Sequence, residues 1–412
     1  MLMVEYSQLL VNQQTKINMK IASRVVFLFF CFLCFNCKTE SKQVIVVKNT
    51  LDIPRSFETV EIKVSDITLT DDVSIENIAV VDVQTNEVLV SQLVDSNQDG
   101  ISDLLLFQPK IEANTEKKYK LTQIDAGKRP KTIDYCYSRF VPERTDDYAW
   151  ENNRVAFRTF GPVAQKMVED GVKGGTLSSG IDAWLKRVDY PIINKWYKKY
   201  LKDSNAYHKD TGEGLDNFHV GRSRGVGGIA YKKDSIFYIS KNFISYKTLT
   251  NGPLRTSFIL NYEVWDANGT KIKESKKISL DYGNNLSRFE VSIEGVDTIS
   301  AGLTLHEKDG VVSSHKDETW LNYWQPHADS ELGTAIVASP VYFIESEKYD
   351  TEAKDLSHVF SHLKVINGKT IYYAGFAWQK TGQFKNQNEW QEYLRAFAKK
   401  IEYPLQIQLL KP

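Results

Sequence analysis

The chain has 412 residues, enough for one large domain or two smaller ones. Its 52 Lys and Arg residues balance 52 Asp and Glu residues, so the formal net charge is zero, whereas proteins that coat nucleic acid carry a basic excess. Aromatic residues make up 12% of the chain, a share that suits both a large β-sheet core and a surface that stacks on sugar rings. The composition therefore predicts no nucleic-acid partner.

The N-terminal 37 residues predict an export segment. Lys20 and Arg24 precede an apolar run at residues 25–35, which has the length of a signal peptide and is short for a membrane span. The charged start of this run makes Met19 the expected first residue of the translated protein. We expect residues 1–37 to direct export and residues 38–43 to form a linker.

Cys37 directly follows the apolar run, where a bacterial lipoprotein carries its lipidated cysteine. The preceding residues, Cys34-Phe35-Asn36, depart from the small residues expected before such a cysteine. Lipidation at Cys37 is the prediction, and a cleaved soluble form is the alternative. The expected location is the periplasm or the outer membrane, with contact to the membrane only through the lipid anchor.

Residues 44–412 predict one mainly β domain with an N-terminal β subregion at residues 44–125. Strand-like runs such as VIVVKN, TVEIKV, RTSFILNYEVWD and KTIYYAGFAWQ are separated by Gly, Asn and Asp turns. Helical periodicity is clear at residues 387–401 and weaker at residues 182–201, where Pro191 interrupts it. This pattern predicts a large antiparallel β-sandwich with few helices and not a parallel α/β fold.

The segment DSNQDGISDLLLF, residues 95–107, matches the first part of a calcium-binding loop between Asp95 and Asp103. The twelfth position of such a loop requires a bidentate glutamate, and here it is Leu106. A hairpin turn between two strands is therefore the favoured interpretation, and a calcium site is the less favoured one.

The segment YHKDTGEGLDNFHVGRSRGVGG, residues 207–228, is the densest in polar and glycine residues. It lacks the Lys-Ser/Thr end of a phosphate loop and the strand-to-helix context of a dinucleotide fingerprint. Together with Lys186 and Arg187, the arginines Arg222 and Arg224 favour an anionic ligand. The alternative is that these arginines pair with acidic neighbours in a structural network.

We predict no cofactor for this protein. His208 and His219 lie eleven residues apart with glycines between them, which does not match a zinc protease motif. A metal held near His208 and Glu213 is conceivable because carboxylates are close in sequence, but it is not favoured.

Five segments together are similar to those of a known family, DUF4861, a domain of unknown function from polysaccharide-degrading bacteria. They are WENNRVAFRTFGP, GIDAWLKRVDYPIINKWY, YHKDTGEGLDNFHVGRSRGVGG, GPLRTSFILNY and YYAGFAWQKTGQF. The resemblance covers roughly residues 44–410 in order. It implies a galactose-mutarotase-like β-sandwich and an ulvan oligosaccharide dehydratase activity. Such an enzyme removes water from a uronic acid at the non-reducing end and leaves a 4,5-unsaturated uronyl residue.

This implied reaction is a β-elimination, and the dense segments supply candidates for each role. We predict that Arg222 or Arg187 neutralises the carboxylate of the substrate, that His208 takes the proton from C5, and that Tyr190 or Tyr207 protonates the departing hydroxyl. The predicted partner is an anionic oligosaccharide that ends in a uronate, with or without sulfate groups. The predicted substrate-binding residues are Trp150, Glu151, Asn152, Arg158, Lys186, Asp210, Glu213, Arg224 and Trp324.

Three other functions remain open from the sequence. A polysaccharide lyase would use the same elimination on a longer uronate-containing chain. A surface glycan-binding lipoprotein would use the same aromatic and cationic residues without catalysis, and a hydrolase would use paired carboxylates of the 207–228 segment.

Overall fold

The computed structural model describes residues 43–69 and 73–410. The predicted export segment and Cys37 lie outside these residues, so both stay predictions. In the described part of the chain, the helices are too short or too polar to cross a bilayer.

The described residues form 26 strands and three α-helices. The helices are α1 (Pro162–Glu169), α2 (Ile193–Tyr200) and α3 (Gln387–Glu402). The strands, in chain order, are β1 (Val44–Lys48), β2 (Val60–Lys63), β3 (Ile78–Asp82), β4 (Ser91–Val94), β5 (Leu104–Phe107), β6 (Glu116–Gln123), β7 (Tyr137–Val141), β8 (Asp147–Glu151), β9 (Ala156–Thr159), β10 (Asp182–Lys186), β11 (Gly214–Leu215), β12 (Val226–Lys233), β13 (Ile236–Tyr238), β14 (Phe243–Thr250), β15 (Arg255–Tyr262), β16 (Trp265–Ala267), β17 (Thr270–Asp281), β18 (Leu286–Glu294), β19 (Thr298–Thr304), β20 (Val311–His315), β21 (Trp320–His327), β22 (Ser330–Ala338), β23 (Phe343–Tyr349), β24 (His358–Lys364), β25 (Lys369–Trp378) and β26 (Gln406–Leu410).

Two large β layers face each other. One is a nine-stranded antiparallel sheet in the order β14-β15-β17-β18-β25-β22-β21-β20, with β16 paired to β17. The other layer consists of two five-stranded sheets, β11-β10-β9-β8-β7 and β13-β12-β19-β24-β23. These two sheets are linked by a parallel bridge between Ile181 and Gly225. Gly225 has a φ of +58°, and a Cβ there would lie 1.9 Å from the Ile181 carbonyl oxygen, so this junction requires glycine.

The main core lies between these layers and is rich in aromatic side chains. The Trp150 ring lies 5.2 Å from Phe258, and Phe157 lies 5.2 Å from Phe376, so side chains of β8 and β9 contact those of β15 and β25. Packing of two inward faces in this way is the defining contact of a β-sandwich. The predicted fold, a large antiparallel β-sandwich with few helices, is confirmed.

The N-terminal strands form two smaller sheets, β26-β1-β6-β3 and β2-β5-β4, the first of which also includes the C-terminal strand β26. They share a separate core that includes Ile45, Phe107 and Tyr119. In the second sheet, β4 pairs with β5 as an antiparallel hairpin. Asp95 caps its turn by accepting hydrogen bonds from the backbone N–H groups of Gln98, Asp99 and Gly100, which confirms the hairpin interpretation of this segment.

The predicted C-terminal helix is confirmed as α3, whose Trp390, Leu394 and Ala398 are buried. The weaker helical pattern at residues 182–201 was only half correct, because its first part is β10 and only residues 193–200 are helical. Pro191 lies in the connection between them, where its missing N–H group is tolerated.

Candidate functional site

The site begins on the outer face of the β7–β11 sheet. Side chains alternate along a strand, so Asp147 and Glu151 of β8 point outward while Trp150 points into the core. Asp182 of β10 lies directly opposite Arg158 of β9. The outward face therefore carries an arginine flanked by two acidic side chains.

Arg158 binds three carboxylates at once. Its Nη2 atom lies 2.5 Å from Asp182 Oδ2 and 3.0 Å from Asp216 Oδ2, and its Nη1 atom lies 3.5 Å from Asp147 Oδ2. All four side chains are less than a tenth exposed. We call Asp147, Arg158, Asp182 and Asp216 the carboxylate cluster.

The cluster binds a proton more readily than free carboxylates would. Burial raises the pKa of Asp182, and the nearby Asp216 carboxylate raises it further. Burial also raises the pKa of Asp147 to about 6, although Arg158 opposes this effect. Like charges in a dry environment cannot all ionise easily, so the cluster takes up a proton as the pH falls below neutral.

A cleft of about 840 Å³ opens beside this cluster. That volume is typical of a small-ligand site. Its apolar wall includes Phe160, Leu177, Phe218 and Val220. Its polar lining consists of Arg144, Arg158, Thr176, Asp182, His208, Asp216, Asn217, His219, Arg222, Ser240 and Lys241.

His208 is held in a defined tautomer. Its Nδ1 atom lies 2.6 Å from the backbone carbonyl oxygen of Asp216. A carbonyl oxygen only accepts, so Nδ1 carries the hydrogen and the neutral ring keeps its lone pair on Nε2. The side chain is 45% exposed, which leaves a base accessible to a ligand.

Arg222 supplies positive charge to the same cleft. Its side chain is exposed, and no carboxylate of the described residues lies within 4.0 Å of its guanidinium group. Lys241, by contrast, forms an ion pair with Glu169. The guanidinium of Arg222 is therefore free to bind a carboxylate or sulfate with two parallel hydrogen bonds.

Other histidines hold the loop that carries these groups. His327 Nε2 lies 2.9 Å from Asn217 Oδ1, and His306 Nε2 donates to the His219 carbonyl oxygen at 2.5 Å. Burial lowers the pKa of His327 to about 4, with His306 adding to the effect. Among residues 43–69 and 73–410, no group of three or more His, Cys, Asp or Glu side chains is arranged to hold a metal ion.

Several predicted substrate-binding residues lie away from the cleft. Trp150 is fully buried and donates from Nε1 to Ser287 Oγ at 2.9 Å, so its ring cannot stack on a ligand. Trp324 is 5% exposed and packs in the core beneath α3. Asn152 is buried and donates to the carbonyl oxygens of Asp281 and Asn284. The predicted sugar contacts of these three residues are therefore wrong.

Glu151 and Lys186 form a fully buried ion pair, with Lys186 Nζ 2.7 Å from Glu151 Oε2. Glu151 also accepts the backbone N–H groups of Ile192 and Ile193 at the start of α2. A carboxylate at a helix N-terminus satisfies donors that have no partner within the helix. Both side chains thus anchor α2, and their predicted contact with substrate is wrong.

Arg224 and Tyr207 are also buried. Arg224 donates to Ser178 Oγ, Ser179 Oγ and the Ile229 carbonyl oxygen, and burial lowers its pKa to about 10. Tyr207 is 2% exposed, and its ring stacks on Tyr200. Arg224 supports the loop from inside, and Tyr207 lies behind the carboxylate cluster instead of facing the cleft.

Arg187, Tyr190, Asp210 and Glu213 form a separate surface network beside α2. Arg187 Nε lies 3.1 Å from Asp210 Oδ2, and Tyr190 donates to Glu213 Oε1 at 2.7 Å. None of the four lines the cleft. This network corresponds to the structural alternative that the sequence left open for its charged residues.

Glu213 offers a stability test of that network. Burial raises its pKa, but hydrogen bonds from Lys195, Tyr190 and Lys199 outweigh this and lower it from 4.5 to about 2. A depressed folded-state pKa stabilises the protein above pH 4.5, and the effect is lost as the pH falls toward 2. We expect Glu213→Gln to lower the free energy of unfolding at pH 7 by about 1–3 kcal/mol, discounted for the half-exposed lysines. Urea denaturation from pH 7 to pH 3 should show the difference shrinking, and a constant difference would contradict the assignment.

The predicted residues that the cleft does bring together are His208, Arg222 and Arg158. Sequence reasoning did not select Arg144, Asp147, Asp182 or Lys241 as site residues. The sequence does contain an indication for Asp147 and Asp182, because each is an acidic residue beside apolar residues in a strand. Burying such a charge is costly unless it is paired, so the pattern indicates a paired carboxylate.

Comparisons with known proteins find a relative by sequence and matching solved structures. A protein of Formosa agariphila described as "Uncharacterized protein P7" is 54% identical over 391 residues, covering 93% of this chain and 99% of that protein. An α-mannosidase structure from Enterococcus faecalis V583 matches with a TM-score of 0.50 and 10% identity, covering 90% of this chain and 46% of that chain. A glycosyl hydrolase family 38 protein of Enterococcus faecalis matches with a TM-score of 0.49 and 10% identity, covering 91% and 48%.

This chain spans about half the length of these two solved chains. At 10% identity, the α-mannosidase likeness concerns the β-sandwich fold alone. The family is shown by sequence: residues 47–407 match the Domain of unknown function DUF4861. On the match across these residues and the relative that is 54% identical, the chain belongs to the DUF4861 family.

Proposed function

We propose that this protein is a carbohydrate-active hydro-lyase. It removes water from the uronic acid at the non-reducing end of ulvan-type oligosaccharides and leaves a 4,5-unsaturated uronyl residue. The observation that carries the proposal is the pairing, in one cleft, of an accessible histidine base with an arginine that has no acidic partner among the described residues. The choice of sugar follows the family resemblance.

Arg222 binds the carboxylate of the substrate. The hydrogen on C5 is acidic only when the charge of the neighbouring carboxylate is neutralised, because removing it places negative charge on that group. A guanidinium group matches a carboxylate with two hydrogen bonds and stabilises the charge that develops in the transition state.

His208 Nε2 takes the C5 proton. The C5–H electrons form the C4–C5 double bond as the C4–O bond breaks, and the 4-hydroxyl leaves as water after it receives a proton. The tautomer fixed by the Asp216 carbonyl oxygen keeps Nε2 ready to accept.

A carboxylic acid group of the carboxylate cluster donates the proton to the departing hydroxyl. Tyr190 is hydrogen-bonded to Glu213 outside the cleft, and Tyr207 is buried behind it. Asp182 lines the cleft and has a raised pKa because of burial and the adjacent Asp216. The proton that the cluster takes up as the pH falls below neutral can therefore pass from Asp182 to the departing hydroxyl, and Asp182 replaces the two tyrosines in this role.

Incubation with saturated, uronate-ended oligosaccharides tests the proposal. A dehydratase yields a product that has lost one water without shortening and that absorbs ultraviolet light through its conjugated acid. Two shorter saccharides would identify a lyase if one is unsaturated and a hydrolase if both are saturated. Binding without any product would identify a glycan-binding lipoprotein.

Arg222 gives a direct test of carboxylate recognition. We expect Arg222→Ala to lower kcat/KM by about 10²–10³-fold, because the developing charge loses its partner. Arg222→Lys should recover part of the loss, since lysine retains the charge without the two-pronged geometry. Arg187→Ala is the matched control, because Arg187 binds Asp210 outside the cleft. Equal losses in Arg187→Ala and Arg222→Ala would contradict this role.

A further inference from the structure

A second cleft of about 490 Å³ lies on the opposite side of the nine-stranded sheet from the main core. It is bounded by residues 56–61, by strands β17, β18 and β25, and by helix α3. It shares no lining residue with the cleft of His208 and Arg222. Four basic and three acidic side chains line it: Arg154, Arg255, Arg288, Lys400, Glu58, Glu61 and Asp281.

Arg154, in the turn between β8 and β9, is poorly satisfied for a half-buried arginine. Its Nη1 atom makes one long hydrogen bond of 3.3 Å to Asn285 Oδ1, an oxygen that also accepts from Gln383 at 2.9 Å. No carboxylate of the described residues lies within 4.0 Å of its guanidinium group. A guanidinium has five N–H donors, so most of the binding capacity of Arg154 is unused.

The acidic residues of the second cleft do not compensate this charge. Asp281 and Glu61 both bind Arg255, with each contact at 2.6 Å. Glu58 binds the buried Arg55 and lies 3.7 Å from Lys400, so one carboxylate serves two cations. Positive charge therefore remains in excess at Arg154 and Lys400.

Burial also disfavours the charged forms of these two residues. It lowers the pKa of Arg154, although Tyr393 and Tyr282 oppose it, and it lowers the pKa of Lys400, although Glu58 opposes it. Keeping two cations half-buried without full compensation costs free energy. An anion bound between them would offset that cost.

The remaining wall is aromatic. Tyr393 and Phe397 of α3 and Tyr373 of β25 are partly exposed here, and Phe57 lies under the Arg154 guanidinium at 4.9 Å from its ring centroid. A concave site with apolar rings and a few convergent polar groups is typical of small-ligand recognition. Rings beside guanidinium groups suit a ligand that has one apolar face and one anionic substituent.

We propose that this second cleft binds an anionic sugar residue. Its carboxylate or sulfate pairs with Arg154 and Lys400, and the C–H face of its ring packs on Tyr393 and Phe397. This site is separate from the proposed catalytic cleft and does not depend on the dehydratase activity. The occupant is therefore a separate molecule that ends in, or consists of, an anionic sugar, because the two clefts share no lining residue.

The test is a titration with methyl glucuronide observed through methyl groups that report on each cleft. Leu286 and Ile401 line the second cleft, and Leu177 and Val220 line the first. In the Arg222→Ala variant, methyl glucuronide is expected to shift the Ile401 and Leu286 resonances. Adding Arg154→Met is expected to weaken that response at least ~10-fold, because a bidentate charged contact is lost.

Four results would overturn the proposal. The Ile401 and Leu286 resonances could fail to move, or they could respond equally to neutral methyl glucoside. The protein could also bind methyl glucuronide equally tightly with and without Arg154→Met. Inorganic sulfate that binds as tightly as methyl glucuronide would show a site for simple anions and overturn the sugar assignment. Thermal unfolding of Arg154→Met serves as the folding control, and Lys400→Met is the second variant if Arg154→Met does not fold.

Discussion

Replacing His208 with alanine is expected to lower kcat for water elimination by about 10²–10⁴-fold, the range for loss of a general base. Binding of the saturated oligosaccharide should change little, because Arg222 and the apolar wall of the cleft remain. The measurement is the initial rate of ultraviolet absorbance increase, together with the mass of the product. Added imidazole should restore part of the rate in His208→Ala, since the vacated space lies next to the exposed cleft.

His315 provides a matched control for this experiment. Its side chain is 45% exposed, the same fraction as His208, and it lies on β20 away from both clefts. We expect His315→Ala to retain normal kcat. Full activity in His208→Ala, or an equal loss in His315→Ala, would rule out His208 as the base. A carboxylate of the cluster would then be the candidate base.

Replacing Arg158 with methionine is expected to lower the free energy of unfolding by about 3–5 kcal/mol at pH 8, the usual cost of leaving buried charges without their partner. Asp147, Asp182 and Asp216 would then face one another without the guanidinium that contacts all three. Equilibrium denaturation with urea measures this loss.

The pH dependence of Arg158→Met has a definite sign. Burial already raises the pKa of Asp147 to about 6 in the presence of Arg158, and removing the cation raises it further. A folded-state pKa above the unfolded value means that stability falls as the pH rises and the group ionises. The variant should therefore regain stability on going from pH 8 to pH 5, relative to the unmodified protein.

Two further variants distinguish whether Arg158 stabilises the protein through its charge or through its packing. Lys241→Met removes another cation of the same cleft, but its pair with Glu169 is largely exposed, so a loss below about 1 kcal/mol is expected. The double variant Arg158→Met/Asp182→Asn should recover part of the loss, because one of the opposed carboxylates is gone. No recovery in the double variant would mean that Arg158 acts through packing and not through charge.

The two clefts present different environments to an anion. The first combines an accessible histidine, a carboxylate cluster with raised pKa values, and an arginine that has no acidic partner among the described residues, which is why we propose proton transfer there. The second has cations and aromatic rings, and its acidic side chains are all bound to arginines or lysines. We expect water elimination only in the first cleft, and we expect the second cleft to bind an anionic sugar without changing it.

Most of the secondary structure was predictable from the sequence. The runs of β-branched residues, the turn beginning at Asp95 and the apolar stripe of the C-terminal helix depend on local periods of 2 and 3.6 residues, which the order of residues determines. The fold class followed from counting these elements. The predicted helix at residues 182–201 is only partly correct. The segment contains a strand and a helix on either side of Pro191, and their apolar residues together give the same spacing as one amphipathic helix.

The members of the candidate site were predictable only in part. His208, Arg158 and Arg222, which lie in segments dense with polar residues, do line one cleft in the structure, although their roles stay predictions. Trp150 and Glu151 lie in the same segment as Arg158. Strand alternation nevertheless directs the Trp150 side chain into the core, and α2 covers Glu151. Polar density along the chain does not distinguish these cases, because it contains no information on which strand face is covered.

The sequence by itself therefore determined the strands, the turns, the C-terminal helix and the choice of a β-sandwich. Only the tertiary structure decided which charges are compensated. Arg158, Arg187 and Arg255 bind carboxylates of residues more than twenty positions away in the chain. Arg222 and Arg154 line clefts, and no carboxylate of the described residues lies within 4.0 Å of their guanidinium groups. The physical reason is that ion pairing depends on distances of a few ångströms between residues far apart in sequence, and local patterns do not specify those distances.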